Sequence, residues 1–273
     1  MRLLRFQPYP ALVPFIESIW CFESDCGIPL EDMRLIVPNG QPKLVIPYDN
    51  GLVSTMNEKH TLAKDLSVTL IGMADIPAII NAQSESKIGT IGVEFNAKGA
   101  YRFFHLPFHE ITNEVYQADD VLGKEVTELQ RRVASAGTLQ QRVGIVQDYL
   151  LKKLTQSKQD AIMDYCIDEL TKSNGLIAIE ELARKTGYTR RYLSMKFNEK
   201  AGVSPKTLAS IYRFHHFYKL WAQNSTQHFF EKEFYDYYYD QAHFIKDFKR
   251  FTNMPPAKFA KVENELGRIF YKD

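Results

Sequence analysis

The sequence predicts an α+β N-terminal half followed by an all-helical C-terminal half, and three observations carry that prediction. One phrase occurs twice: Phe197-Asn198-Glu199-Lys200-Ala201-Gly202-Val203-Ser204-Pro205-Lys206-Thr207-Leu208-Ala209 returns as Phe248-Lys249-Arg250-Phe251-Thr252-Asn253-Met254-Pro255-Pro256-Ala257-Lys258-Phe259-Ala260. The first 115 or so residues alternate short β-type runs with turn signals, whereas later residues show helical spacing. Charge divides the same way: residues 1–159 carry 16 Lys+Arg against 18 Asp+Glu, and residues 160–273 carry 18 against 15.

Taken in order, residues 11–22 have helical spacing, with Leu12, Phe15, Ile16 and Ile19 on one face. Residues 34–37 lead through Pro38-Asn39-Gly40 to Lys43-Leu44-Val45-Ile46-Pro47 and then to Asp49-Asn50-Gly51, which reads as hairpin punctuation. Residues 67–73, 78–82 and 88–95 read as further strands. Residues 121–134 and 139–154 are amphipathic helices separated by Ser135-Ala136-Gly137. The second of these suits either a partner interface or packing within its own domain. The polar stretch 155–160 interrupts the periodicity and puts a boundary near 157, giving domains 1–157 and 158–273.

At 273 residues there is room for two cores, and the 45% hydrophobic and 25% charged fractions are those of an ordinary globular protein. No apolar run approaches the roughly 20 residues of a membrane span, and no signal-peptide layout is present. Cytoplasmic localisation and no membrane partner are therefore expected. Cys21 and Cys26 lack redox or metal spacing, and Cys166 lies in a helical pattern, so all three read as packing thiols. His105 and His109 are four apart with Pro107 between them and no third ligand evident, and His215-His216 point to different sides of one helix. Asp119-Asp120 reads as a helix start. No metal and no cofactor is expected. No phosphate-binding loop, dinucleotide-binding glycine run, GxSxG elbow or HExxH occurs, so no enzyme is expected.

The repeated phrase has one physical meaning in both copies. A helix ends, one residue takes positive φ (Gly202, then Asn253), and proline starts the next helix. Upstream of the first copy, residues 179–185 form a short helix with Ile179, Leu182 and Ala183 inward; Gly187 turns the chain and Thr189 caps a second helix to about Ala201. Small Ala183, turning Gly187 and anchoring Leu193 make the helix-turn-helix spacing. Leu193 and Phe197 form the inner face, leaving Arg190, Arg191, Ser194 and Asn198 to meet base edges. Lys185, Lys196, Lys200 and Lys206 fall nearer a phosphate backbone. Within residues 184–219 there are nine basic residues and one acidic, a footprint that suits a phosphate polymer.

Together with Tyr239-Asp240-Gln241-Ala242-His243-Phe244-Ile245-Lys246-Asp247-Phe248-Lys249-Arg250-Phe251, the closing Pro-Pro-x-x-Phe and Arg213-Phe214, residues 160–262 or so resemble the C-terminal domain of AraC-type transcription regulators. The resemblance implies two helix-turn-helix units, at about 179–201 and 227–251, joined by one long helix at about 205–222. It implies double-stranded DNA as partner, with recognition helices entering successive major grooves. The second unit departs from the family pattern: the turn glycine falls on Tyr237, the small alanine on Glu233, and Lys232 and Asp236 replace aliphatic residues. Two readings compete. Either the preceding helix rotates so that Phe229, Phe230 and Phe234 cover the core, or the unit is loosely held and contributes little to base reading. The acidic run Glu231, Glu233, Asp236 and Asp240 would repel phosphates that it faced. A retained fold with weakened recognition is the favoured expectation, with Gln241 as base reader and Lys246, Lys249 and Arg250 as backbone contacts.

The N-terminal half resembles a poorly characterised domain that precedes such C-termini. The matching phrases are Pro10-x-Leu12-x-x-Phe15-Ile16-x-x-Ile19-Trp20, Pro38-Asn39-Gly40 with Leu44-Val45-Ile46, and Ile91-Gly92-Val93-Glu94-Phe95 with Gly99-Ala100. That resemblance supplies no ligand. The AraC-type resemblance of the C-terminal half implies a sensing or dimerising partner domain, so the mixed α/β N-terminal half is expected to be sensor-like, with a small-molecule effector or a homodimer as the controlling partner. Trp20, Arg34, Lys43 and Glu94, with Asn39, are the effector-binding candidates, each also readable as packing, turn or surface. The reading is a sequence-specific DNA-binding transcription regulator in which the first unit dominates recognition. The competing readings are a small-molecule-binding protein with a partly degenerate DNA-binding domain, and an enzyme within the N-terminal half.

Overall fold

The chain is described from a computed structural model over residues 1–29, 31–56, 59–60, 67–82, 87–224, 237–262 and 264–271. Among these residues, the N-terminal half holds strands β1 (Arg2–Phe6), β2 (Ile16–Ser24), β3 (Leu35–Ile36), β4 (Lys43–Pro47), β5 (Leu52–Met56), β6 (Lys59–His60), β7 (Thr69–Ile71), β8 (Ala78–Ala82), β9 (Ile88–Phe95) and β10 (Val115–Gln117). They form two antiparallel sheets, one in the order β1-β2-β9-β4-β7-β10 and one in the order β3-β8-β5-β6.

Side-chain alternation along the larger sheet assigns two cores. Ile19, Leu44, Ile46, Leu70, Ile91 and Val93 face helices α1 (Ala97–Phe103), α3 (Glu125–Ser135) and α4 (Leu139–Leu154). Trp20, Phe22, Val45, Ile71 and Ile88 face the smaller sheet. Strands buried on both faces read as continuous apolar runs, which is why residues 88–95 show no polar alternation. Helix α4 buries Val143, Val146 and Leu150 in the first core, so its apolar stripe packs within its own half. Between α3 and the short α2 (Ala118–Leu122), Gly123 at φ 79° breaks the single helix expected over 121–134.

Two expectations are corrected here. Residues 11–22 are not a helix: a turn precedes β2, whose register against β9 shifts between Ile16 and Ser18. That bulge inserts one residue, so Ile16 and Ile19 share a face although three apart, and a strand imitates helical spacing. Nor do the two turn signals close hairpins. β3 and β5 lie in the smaller sheet while β4 lies in the larger, so Pro38-Asn39-Gly40 and Asp49-Asn50-Gly51 carry the chain between sheets. Turn residues fix local φ and ψ; they do not choose the sheet that the next strand joins.

The C-terminal half is helical: α5 (Ala161–Lys172), α6 (Ile179–Thr186), α7 (Arg190–Ala201), α8 (Pro205–Asn224), α9 (Gln241–Thr252), α10 (Pro256–Phe259) and α11 (Glu265–Tyr271). It packs directly on the sheets. Met73, Ala97 and Tyr101 share a core with Leu193, Phe197 and Leu208, and Leu35 and Val37 share another with Phe214 and Phe251. The Thr112 hydroxyl donates to the Gly202 carbonyl at 2.6 Å, and Lys98 pairs with Asp168 at 2.5 Å. Gly40, at φ +74°, lies so close to α8 that a Cβ there would come within 2.5 Å of the Tyr212 ring. Among the described residues no helix is long and apolar enough to cross a membrane.

Candidate nucleic-acid interface

Helix α6 ends at Gly187 in the left-handed conformation, φ 73°. Nothing lies within 4 Å of a Cβ built there, so the backbone angle and not crowding calls for glycine. Thr189 then caps α7, its hydroxyl accepting from the Tyr192 N–H at 3.2 Å. Leu182, Leu193, Phe197 and Ala201 are fully buried between the helices, each large side chain worth about 1.5–3 kcal/mol. With that face fixed, Arg190, Arg191, Met195 and Asn198 are exposed and Ser194 is half-buried. Arg190 pairs with Glu180 at 2.5 Å across the turn. Exposed Lys206 stands at the start of α8.

Lys196 and Lys200 have other partners. Both donate to Asp160, at 2.5 and 2.8 Å, and Lys200 lies 5.0 Å over the Tyr101 ring. Asp160 thus holds both lysines at the start of α5, and Lys200 also reaches the N-terminal half through Tyr101. Asp160 also caps α5. Its burial favours the neutral acid, but hydrogen bonds from Lys196, Lys200 and the Met163 backbone outweigh it and hold the carboxyl at about 2.

In the second unit Asp240 caps α9 by accepting from His243 N–H at 2.8 Å, and Asn253 ends it at φ 60°, the left-handed position inferred from the repeat. Phe244, Phe248 and Phe251 are buried, and buried Asp247 accepts from Arg213 of α8 at 3.3 Å. Gln241, Lys246 and Lys249 are exposed. Arg250, also exposed, pairs with Asp75 of the N-terminal half. Tyr237 does not take positive φ: it is helical, and its hydroxyl meets His216 Nε2 at 2.9 Å. Phe229, Phe230, Glu231, Lys232, Glu233, Phe234 and Asp236, on which the expected departure rested, lie outside the described residues.

Sequence reasoning passed over three exposed residues beside these helices. Met195 lies one turn beyond Arg191, a spacing that could have flagged it. Tyr188 stacks on Tyr192 with centroids 4.6 Å apart, and Tyr239, 93% exposed, stands just before α9.

Of the effector candidates, Trp20 and Lys43 line an apolar cavity between the sheets, and Glu94 lines an adjoining polar one; Asn39 borders both. The Lys43 ammonium donates to Asn39 Oδ1 at 3.0 Å and to the Gln41 carbonyl at 2.9 Å, and lies 3.5 Å from Glu94. Burial lowers its pKa, with Glu94 opposing. Arg34 lines neither cavity. At φ 55° it donates to Asn81 Oδ1 at 2.7 Å and to the Pro29 carbonyl, bracing a loop. Cys21 is buried, with a thiol pushed up to about 11 by that burial, while Cys26 is exposed. Among the described residues no group of three His, Cys, Asp or Glu could hold a metal.

Comparison with known proteins gives separate family matches in the two halves of the chain. Residues 4–117 match the family described as Domain of unknown function (DUF6597), and residues 182–261 match the family described as Helix-turn-helix domain. None of the curated proteins matches the chain. Among solved structures, an apo variant of ToxT from Vibrio cholerae strain SCE256 is similar at 12% identity and TM-score 0.47, over 89% of this chain and 97% of that one. An unsaturated fatty acid-bound wild-type ToxT from the same strain is similar at 13% identity and TM-score 0.46, over 95% and 98%. The AraC-like transcriptional activator CuxR is similar at 14% identity and TM-score 0.26, over 76% and 75%. These matches put a helix-turn-helix domain in the C-terminal half of the chain, behind a domain of unknown function.

Proposed function

We propose that the chain recognises a specific DNA sequence chiefly through its first helix-turn-helix unit. The N-terminal half, residues 1–157, would act as the domain that controls this binding. The observation carrying the reading is the exposed face of α7, where Arg190, Arg191, Ser194, Met195 and Asn198 stand over a fully buried inner face. Arginine offers guanine a bidentate pairing, and asparagine offers adenine one. On α9 the exposed residues of that kind are Gln241 and Arg250, the latter paired with Asp75, with Lys246 and Lys249 as phosphate contacts. Control by the N-terminal half is supported by the cores it shares with both units. A small-molecule effector fits better than dimerisation, because the sheets enclose cavities while the α4 stripe is already covered. The experiment is competition binding on a site selected by the wild-type chain: Arg191→Ala weakens specific binding more than Gln241→Ala, and equal losses overturn the asymmetry.

A further inference from the structure

The segment after the second unit docks on the N-terminal sheets. Asn264 clamps Leu35 from both sides, accepting from its N–H at 2.9 Å and donating to its carbonyl at 2.8 Å. The Leu266 N–H donates to Asp32 at 2.8 Å, the Tyr271 hydroxyl to the Val37 carbonyl at 2.7 Å, and Arg5 to the Phe270 carbonyl at 2.6 Å. A Cβ at Gly267 would come within 2.7 Å of the Leu35 carbonyl oxygen, so only glycine allows helix α11 this approach.

From this helix the Phe270 ring enters the space between the sheets. It meets Trp20 edge-on at 5.0 Å and lies near-parallel to Phe22 at 6.1 Å. Phe270 lines two cavities. One, of about 60 Å³, is walled by Trp20, Val45, Met56, Ile71 and Ile80. The other, of about 150 Å³, lies at the junction of the two halves beside Arg5, Asn39, Gln41, Glu94 and His215. One lining residue of each has a buried polar atom with no hydrogen-bond partner: the Trp20 indole N–H and His215 Nε2. Buried donors without acceptors are rare and call for an explanation.

Size decides what the apolar cavity can take. Benzene occupies an engineered cavity of about 150 Å³, so 60 Å³ beside Phe270 is too small for a ring. The Phe270 ring is itself benzene-sized, and its departure would make the room. We propose that the two cavities form one binding site for a small aromatic compound carrying a hydrogen-bond acceptor. Its ring takes the place of Phe270, its acceptor meets the Trp20 N–H, and its binding frees helix α11 from the N-terminal half. This rests on the reading that the N-terminal half controls DNA binding, and it supplies the moving part: a C-terminal helix whose release alters how the second unit is held.

Acetophenone and ethylbenzene are suitable probes, having similar rings but a carbonyl only in the former. Both are titrated against the full chain by calorimetry, with amide hydrogen exchange followed at residues 264–271. Acetophenone binds Phe270→Ala at least about tenfold more tightly than wild type, because no native ring competes for the site. It binds Phe270→Ala about fivefold more tightly than ethylbenzene does, and adding Trp20→Phe erases that preference. In the wild-type chain, millimolar acetophenone speeds exchange at 264–271 and leaves Ile179–Thr186 unchanged. Equal affinity of the wild-type and Phe270→Ala chains for acetophenone, or unaltered exchange at 264–271, overturns the proposal. If Phe270→Ala does not fold, Phe270→Leu gives the same comparison with a gain of about threefold, and the wild-type exchange result needs no variant. None of these readouts involves DNA, so failure here and failure of the DNA-binding reading are separately visible.

Discussion

Replacing Asp160 by Asn separates two consequences of one carboxylate. The amide keeps an oxygen to accept from Met163 N–H and cap α5, but it gives up the charge that holds Lys196 and Lys200. The carboxyl stands at about 2 in the folded chain against 3.8 ordinarily, the lysine and backbone hydrogen bonds having outweighed burial. A depressed carboxylate contributes stability that is fully present above the unfolded value and is lost as pH falls through the folded one. The window is therefore pH 4 to 2, and the contribution at neutral pH is at most about 2 kcal/mol. Urea unfolding of Asp160→Asn should show a loss of up to that size at pH 7, narrowing as pH falls below 4. Both lysines are also released from Asp160. If they reach phosphates, the slope of log affinity against log salt steepens by about 0.9 for each, up to about 2 in all. Fluorescence anisotropy at several salt concentrations measures it. A stability deficit independent of pH, or unchanged stability at pH 7, would refute the reasoning.

His215 is held neutral, its pKa lowered to about 3 by burial first and then by Lys219, Lys43 and His216. Its contribution is fully present above about 6.5 and is lost as pH falls toward 3, at about 1.4 kcal/mol per pH unit. The wild-type melting temperature should therefore fall more steeply than that of His215→Gln between pH 6.5 and 5; parallel curves would count against this. Gly92 faces Trp20 across the β2–β9 pair, and a Cβ there would lie 2.0 Å from the indole. Gly92→Ala should displace that ring and cost about 1–3 kcal/mol in a urea titration, with Trp20 emission shifting; an unchanged spectrum and midpoint would contradict the packing.

What was legible in the sequence follows from how local each cause is. Strands at Ala78–Ala82 and Ile88–Phe95 were readable because β-branched runs between turn residues need no distant partner to declare themselves. The left-handed Asn253 was readable because its copy, Gly202, occupies the same place in a repeated phrase. The β2 bulge was not, since it exists only in the register against a strand some seventy residues later. The same holds for the lysines. The ion pairs of Lys196 and Arg250 were not readable because their partners, Asp160 and Asp75, are distant in sequence. Phe270 carried no signal in a seven-residue helix, and its meaning comes wholly from Trp20 and Phe22.

The central claim, that the first unit carries base recognition, is tested most directly by the specificity ratio, specific over non-specific affinity, of two single variants. On a site selected by the wild-type chain and at fixed salt, Arg191→Ala should lower that ratio about 5- to 150-fold, the loss of about 1–3 kcal/mol expected for a base contact. Gln241→Ala should lower it less than about threefold. Equal reductions, or a larger one for Gln241→Ala, would contradict the account.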